Sequence, residues 1–139
     1  MTQQRDQRAI DAETVAQYRA TGGHVERFAD GTMLVLTTTG AKSGRPHVKP
    51  LRFIADGDRI AIIASHQGAP KSPDWYHNLV ANPRVTVEVG SERFEAVARI
   101  ATGEERERLY AAQAARMPQF AEYETRTTRV IPVVVLERV

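Results

Sequence analysis

The residues with the most chemistry to offer lie in two stretches, TTTGAKSGRPH over residues 37–47 and SHQGAPKSPDWYHN over residues 65–78. In the first, Lys42, Ser43 and Arg45 occupy a glycine-bounded turn between two apolar runs. In the second, a Gly-Ala-Pro loop leads into a helix carrying Trp75 and Tyr76. A basic turn offers cations and backbone N–H donors to an anion, and an indole offers its face to a flat ring. The pair predicts a pocket for a ligand with an anionic tail and a planar ring.

Other chemistries fit less well. A P-loop needs glycine, four residues and then Gly-Lys-Ser/Thr, but Gly40 precedes Lys42 by only two positions and Ala41 stands where the second glycine belongs. A strand also follows this turn where a nucleotide loop would enter a helix. No G-x-G-x-x-G fingerprint supports a dinucleotide site. His24, His47, His66 and His77 form no i, i+4 pair and the nearby acids lack ligand spacing, so no metal site is expected. Ser43 and Ser65 have no His–Asp constellation nearby in sequence, which leaves hydrolysis unsupported. The chain has no cysteine, which excludes disulfides, thiolate catalysis and iron–sulfur ligation.

The elements that position these residues follow from the apolar pattern. With 139 residues, 42% of them hydrophobic, the chain is long enough for one core and short for two domains. Ile10, Val15, Ala16 and Tyr18 form a weak helical stripe, behind a polar stretch over residues 1 to about 8 and ended by Gly22 and Gly23. Strands are expected over 33–38, 48–54, 59–64, 85–89, 94–100 and 130–136, with tight turns at Gly40 to Gly44, Asp56-Gly57 and Gly90-Ser91. A helix capped by Ser72, with Pro73 at its first position, should run to Asn82-Pro83. A second should start at the cap Thr102 and end near Arg116, with a short piece over 118–124. About six mostly antiparallel strands with helices outside predict a mainly β fold, a closed or split barrel. Residues 1–30 are expected as tail and helix, and residues 31–139 as the barrel.

The charge balance of +2 is mild, and outside the two loops bases alternate with acids, against nucleic-acid binding. No run is apolar enough for membrane insertion, and MTQQRDQRAI lacks a signal-peptide core, so a soluble cytoplasmic chain is expected.

The succession LTTTGAKSGRPHVKPL, ASHQGAPKSPDWYHNLVANPRVTVEV, ATGEERERLY and RVIPVVVLE resembles the deazaflavin-dependent nitroreductase family, small oxidoreductases that use coenzyme F420. The resemblance covers roughly residues 33–137. It implies a split β-barrel like that of FMN-binding pyridoxamine oxidases, with the cofactor's phospholactyl-glutamyl tail on the basic turn at Lys42, Ser43 and Arg45. It further implies that His47, Val48, Lys49, Pro50 and Leu51 run beside the cofactor, and that Ala64 and Ser65 approach the ring or ribityl chain. Trp75, Tyr76 and Asn78 would form the wall. The activity implied is hydride transfer from reduced F420 to a small-molecule acceptor: a quinone, an enone or a nitroaromatic. Tyr76 or Tyr123 would be proton donors.

The chain departs from that pattern in three ways. His47 and His66 stand where the family commonly has Arg and Lys, so two tail cations become imidazoles. Ala41 replaces a common Arg. Met117 and Phe120 occupy positions where tyrosines are frequent, which makes the substrate wall more apolar. An FMN-binding relative and a non-catalytic lipid- or tetrapyrrole-binding barrel are the alternative readings. A homodimer paired across a two-fold barrel interface is compatible with the pattern, as is peripheral membrane association if the acceptor is a quinone.

Overall fold

The computed structural model describes residues 7–25 and 32–139, with Gln67 described for its backbone only. The first described element is helix α1 (Gln7–Thr21), so the tail expected over residues 1 to about 8 gives way to helix by Gln7. Residues 1–6 and the domain boundary expected at residues 30 and 31 lie outside the described residues.

The β-branched runs then form strands β1 (Met33–Thr39), β2 (Pro46–Arg52), β3 (Ile54–Asp56) and β4 (Arg59–Ile63). Helix α2 (Asp74–Ala81) precedes the hairpin of β5 (Arg84–Val89) and β6 (Glu92–Ile100). Helices α3 (Gly103–Arg116) and α4 (Gln119–Thr125) lead into β7 (Val133–Arg138). The strands make one antiparallel, curled sheet in the order β2-β1-β5-β6-β7-β4-β3. This is a half-closed split barrel with helices outside it.

Among the described residues seven strands replace the expected six, because the run over residues 48–54 is two strands. β2 pairs with β1 through Arg52, opposite Met33, whereas β3 begins at Ile54 and pairs with β4, opposite Ala61. Phe53 alone separates them, and its N–H donates to the Thr32 carbonyl at 2.9 Å. Consecutive residues therefore belong to opposite ends of the sheet.

The last strand also starts later than residue 130. Val130 is 76% exposed, and Pro132, which has no N–H for a ladder, delays regular pairing until Val133 opposite Ile63. From there Val133, Val134, Val135 and Leu136 are all buried, because β7 is flanked by β4 and β6 and covered on both faces. Each such side chain contributes about 1.5–3 kcal/mol through burial.

Two clusters form most of the core. Leu34, Leu36, Ile62, Trp75, Leu79 and Val87 pack inside the curl. Ile54, Leu109, Tyr110, Phe120, Ile131 and Val133 join α3 and α4 to the outer face. Tyr18 of α1 is buried against Met33 and Val35, and its hydroxyl accepts from the Gly90 N–H at 2.6 Å. Arg19 donates to both carboxylate oxygens of Glu88, at 2.9 and 2.8 Å, and so ties the end of α1 to β5.

Candidate functional site

A groove of about 1670 Å³ opens where α1, the 40–49 segment, the 65–78 segment and α4 face one another. At one end is the basic turn. Gly44 N–H donates to the Gly40 carbonyl at 3.0 Å and Gly40 N–H to the Arg45 carbonyl at 2.8 Å, which closes the connection between β1 and β2. The Ser43 hydroxyl accepts from Arg45 N–H at 3.2 Å and lies 3.3 Å from His47 Nε2. A Cβ on Gly40 would lie 2.4 Å from Ser43 Oγ and 2.7 Å from His47 Nε2, so only glycine lets these two side chains fold across the backbone. Lys42 is exposed on this turn and lines the groove, with no side-chain partner among the described residues.

Asn78 anchors the turn to α2. Its Oδ1 accepts from Ala41 N–H at 3.0 Å and its Nδ2 donates to Thr38 Oγ1 at 3.2 Å, so both ends of the amide are engaged within the protein. The expected cap on this helix differs. Pro73, not Ser72, occupies the cap position, and Ser72 Oγ instead accepts from Arg129 Nη1 at 3.2 Å. Thr102 does cap α3 by position, without a side-chain bond.

The opposite wall combines Trp75, Ser65, His66, Phe120 and Tyr123, all lining the groove. Trp75 is 6% exposed, a core residue with one surface on the groove. Phe120 is similarly placed, edge-on to Tyr123 with ring centroids 5.2 Å apart. His66 begins a 3-10 turn, His66–Gly68, and holds φ at +47°, a conformation costly for a side chain with a Cβ. Gly68, at φ +78°, brings this turn against α4. A Cβ there would meet Arg126 Cβ at 2.9 Å and the Tyr123 carbonyl at 3.0 Å.

Lys42, Ser43, His47, Val48, Lys49, Pro50, Leu51, Ser65, His66, Trp75 and Asn78 thus border one groove together with Phe120 and Tyr123. The structure does not bring Arg45, Ala64, Tyr76 or Met117 to it. Ala64 is fully buried, and Tyr76 packs on the inner core because α2 turns residues 75 and 78, three apart, toward the groove. Met117 packs on the outer cluster. Lys49 lines the groove but its Nζ is bound to Asp11 Oδ2 of α1 at 2.6 Å.

Two residues escaped the sequence reading. Arg129 donates to the carbonyls of Ala69 at 2.8 Å, Ala64 at 3.2 Å and Ser65 at 2.8 Å, and so holds the loop that carries His66. Burial lowers its pKa, and the guanidinium stays a cation with carbonyl partners. A lone arginine just ahead of an apolar strand was its only signal. Gln113, 4% exposed, also lines the groove, from the α3 stripe of Arg106, Leu109 and Tyr110. A polar residue in phase with that stripe was visible in the sequence.

The model of the F420H(2)-dependent quinone reductase family matches residues 11–138 of the chain. The chain belongs to this family. F420H(2)-dependent quinone reductase Rv1261c of Mycobacterium tuberculosis is 41% identical over 128 residues, 88% of this chain and 86% of that protein. A solved structure described as an F420-H2 dependent reductase (FDR-A) superposes with a TM-score of 0.71 at 41% identity, covering 76% of this chain and 94% of that one. A second, described as a domain-swapped dimer, reaches a TM-score of 0.74 at 38% identity over 91% of this chain and 93% of that one. A pyridoxamine 5′-phosphate oxidase-type protein from Listeria innocua, 16% identical with a TM-score of 0.56 over 78% and 85% of the two chains, shares the fold alone.

Membership makes F420 the cofactor to test against the groove, and it lends no support to FMN. The donor set suits F420. A free lysine and a hydroxyl suit an anionic tail, and a buried indole with two further aromatic rings suits a planar system. Among the described residues no helix is long and apolar enough to cross a membrane, and no group of acids and histidines could hold a metal.

Proposed function

We propose that this member of the quinone reductase family binds reduced F420 along the groove, with its tail on the turn at Lys42 and its ring beside β2 and Trp75. The acceptor lies against Phe120 and Tyr123. The observation that carries this reading is that one groove borders both the unpaired Lys42 and the aromatic wall.

When bound, the reduced deazaflavin supplies a hydride from C5, and the acceptor takes it together with a proton. The chain's residues have three tasks. Lys42 and the Ser43 turn bind the tail, and Asn78 keeps that turn in register with the wall. Trp75, Phe120 and the β2 backbone orient two flat rings and exclude water. Tyr123, the tyrosine that lines the groove, or water delivers the proton. Quinones fit the apolar wall best, and enones and nitroaromatics are acceptors of the same electrophilic kind. A homodimer belongs to the proposal because a solved relative at 38% identity is a domain-swapped dimer.

Calorimetric titration with F420, followed by oxidation of the reduced cofactor with menadione, tests this. Saturable binding and quinone-dependent loss of the reduced cofactor are expected. Failure to bind F420 refutes the reading, and binding without turnover refutes the acceptor class.

A further inference from the structure

We propose that Gln113 is the residue that orients the acceptor, donating a side-chain hydrogen bond to a carbonyl oxygen of the quinone. The proposal rests on the quinone-reductase reading above and places its acceptor on a named atom.

Gln113 is 4% exposed, yet it lines the groove, as do Phe120 and Tyr123, and its neighbour Met117 packs in the same cluster as those two rings. Its only side-chain partner among the described residues is a thioether, Met117 Sδ, 3.6 Å from Nε2. A thioether accepts weakly, whereas an amide carries two N–H donors and a carbonyl. No buried side-chain N or O atom among the described residues lacks a partner, so the amide is not stranded; with only a weak acceptor on its nitrogen, it keeps hydrogen-bonding capacity for something that enters the groove. The surroundings decide what that is. Ile54, Ala61 and Ile63 line the same groove as apolar neighbours, with Phe120 beside them, so the entrant must be mostly hydrocarbon with an isolated hydrogen-bonding atom. A quinone has that make-up: a flat ring with carbonyl oxygens at its edge.

Two other groove-lining polar side chains are already committed within the protein. Asn78 has both ends of its amide engaged, and Lys49 is paired with Asp11. Gln113 is also carried by the last turn of helix α3 rather than by a loop, and its backbone carbonyl accepts from the capping Met117 N–H, so its reach is set by the helix. Apolar pockets gain orientation from a few such polar groups, and they reject analogues that lack the matching atom more strongly than analogues that lack a methyl.

The single tryptophan of the chain is Trp75, on the groove wall, so its fluorescence reports occupancy without turnover. Menadione binding is measured by quenching, and methylnaphthalene, the same bicycle without oxygens, by its displacement of menadione. In the unaltered protein menadione should bind more tightly than methylnaphthalene. Gln113→Met, close in size and without a donor, should weaken menadione roughly tenfold, about the effect of one lost hydrogen bond, and leave methylnaphthalene unchanged. F420 affinity should be unaltered. Gln113→Glu should bind menadione poorly as a carboxylate and recover as the pH is lowered and the carboxyl regains its proton. Equal weakening of both ligands, or unchanged preference in both variants, overturns the proposal. Because binding is read without the cofactor, loss of the Gln113 effect is distinguishable from absence of F420-dependent turnover, which would instead sink the functional reading. Thermal unfolding checks each variant, and the glutamate variant carries the test if the methionine variant is unstable.

Discussion

Among the lysines and arginines that line the groove, Lys42 is set apart by its freedom. Lys49 is held by Asp11, Arg19 by Glu88, and Arg52 donates to Thr32 Oγ1. A cation already paired gains little from a second anion, whereas an unpaired one on a structured turn gains the whole of a charge-assisted contact. Lys42→Ala is therefore expected to weaken F420 binding by about 1–3 kcal/mol, with the difference from the unaltered protein shrinking as salt rises. Calorimetry at two ionic strengths measures both. Unchanged affinity would remove the tail from this turn. The residue chemistry was readable from the motif, since a lysine between Gly40 and Gly44 announces itself. The partnerships were not. Asn78 reads as a wall residue in sequence and is a brace in the structure, because a separation of 37 positions from Ala41 hides a contact that only the packing of α2 on β1 creates.

At the scale of elements, the turn between β1 and β2 depends on a glycine without an unusual backbone angle. Gly40→Ala would force Ser43 and His47 apart, and cofactor affinity should fall by at least as much as in Lys42→Ala. Gly40 itself is buried, but the nearest atoms its Cβ would meet belong to the side chains of Ser43 and His47 on an exposed turn, so global stability should fall by about 1–2 kcal/mol while the strands remain paired. Denaturant unfolding beside F420 titration separates the two effects.

The α3–α4 pair makes a different prediction. Tyr110 donates a short hydrogen bond to the Phe120 carbonyl, and burial, with Glu124 adding to it and Arg106 opposing it, pushes its pKa up from 10.0 to about 12. The folded protein then keeps a proton that the unfolded chain releases. Stability from this group is complete below about pH 10 and drains as the pH rises toward about 12. Tyr110→Phe should cost about 1–2 kcal/mol at neutral pH, through the abandoned carbonyl, and flatten the alkaline decline. Tyr18, also raised by burial, should leave a remainder. Thermal unfolding from pH 8 to 11.5 checks this, and an equally steep decline in the variant would refute it.

The elements themselves were largely legible. Alternating runs such as Val85, Val87 and Val89 mark strands wherever one face is wet. The break at Phe53 was not, because nothing local distinguishes a strand that continues from one that changes partners. That decision belongs to the sheet's curvature.

For the whole molecule, α1 borders the groove and is attached at its far end by Arg19 and Glu88. The Glu88 side chain is only 11% exposed, so removal of its partner leaves a poorly hydrated carboxylate. Arg19 is itself 46% exposed, and solvent screening reduces the loss. Arg19→Ala should destabilise by about 1–2 kcal/mol and loosen α1 over the groove, with faster amide exchange along α1 before any change in the sheet. Uniform exchange across α1 and β5 would show that the two are not uncoupled by this pair. The half-closed barrel was legible from strand count and turn spacing, while the contact of α1 with β5 spans 69 residues and leaves no local trace.

The single residue between β2 and β3 has a topological meaning. Trace the sheet from β2 through β1, β5, β6, β7 and β4 to β3, and each step is a ladder of hydrogen bonds; the last step, from β3 back to β2, is a pair of peptide bonds at Phe53. The loop of strands is closed like a bracelet, by a clasp rather than by weaving. Opening that clasp with a chain break would remove no rung of any ladder, yet it would free the two outermost strands to spread. Leu51 and Ile54, which face the groove from either side of Phe53, would part, and the girth of the ligand site would cease to be set by the chain.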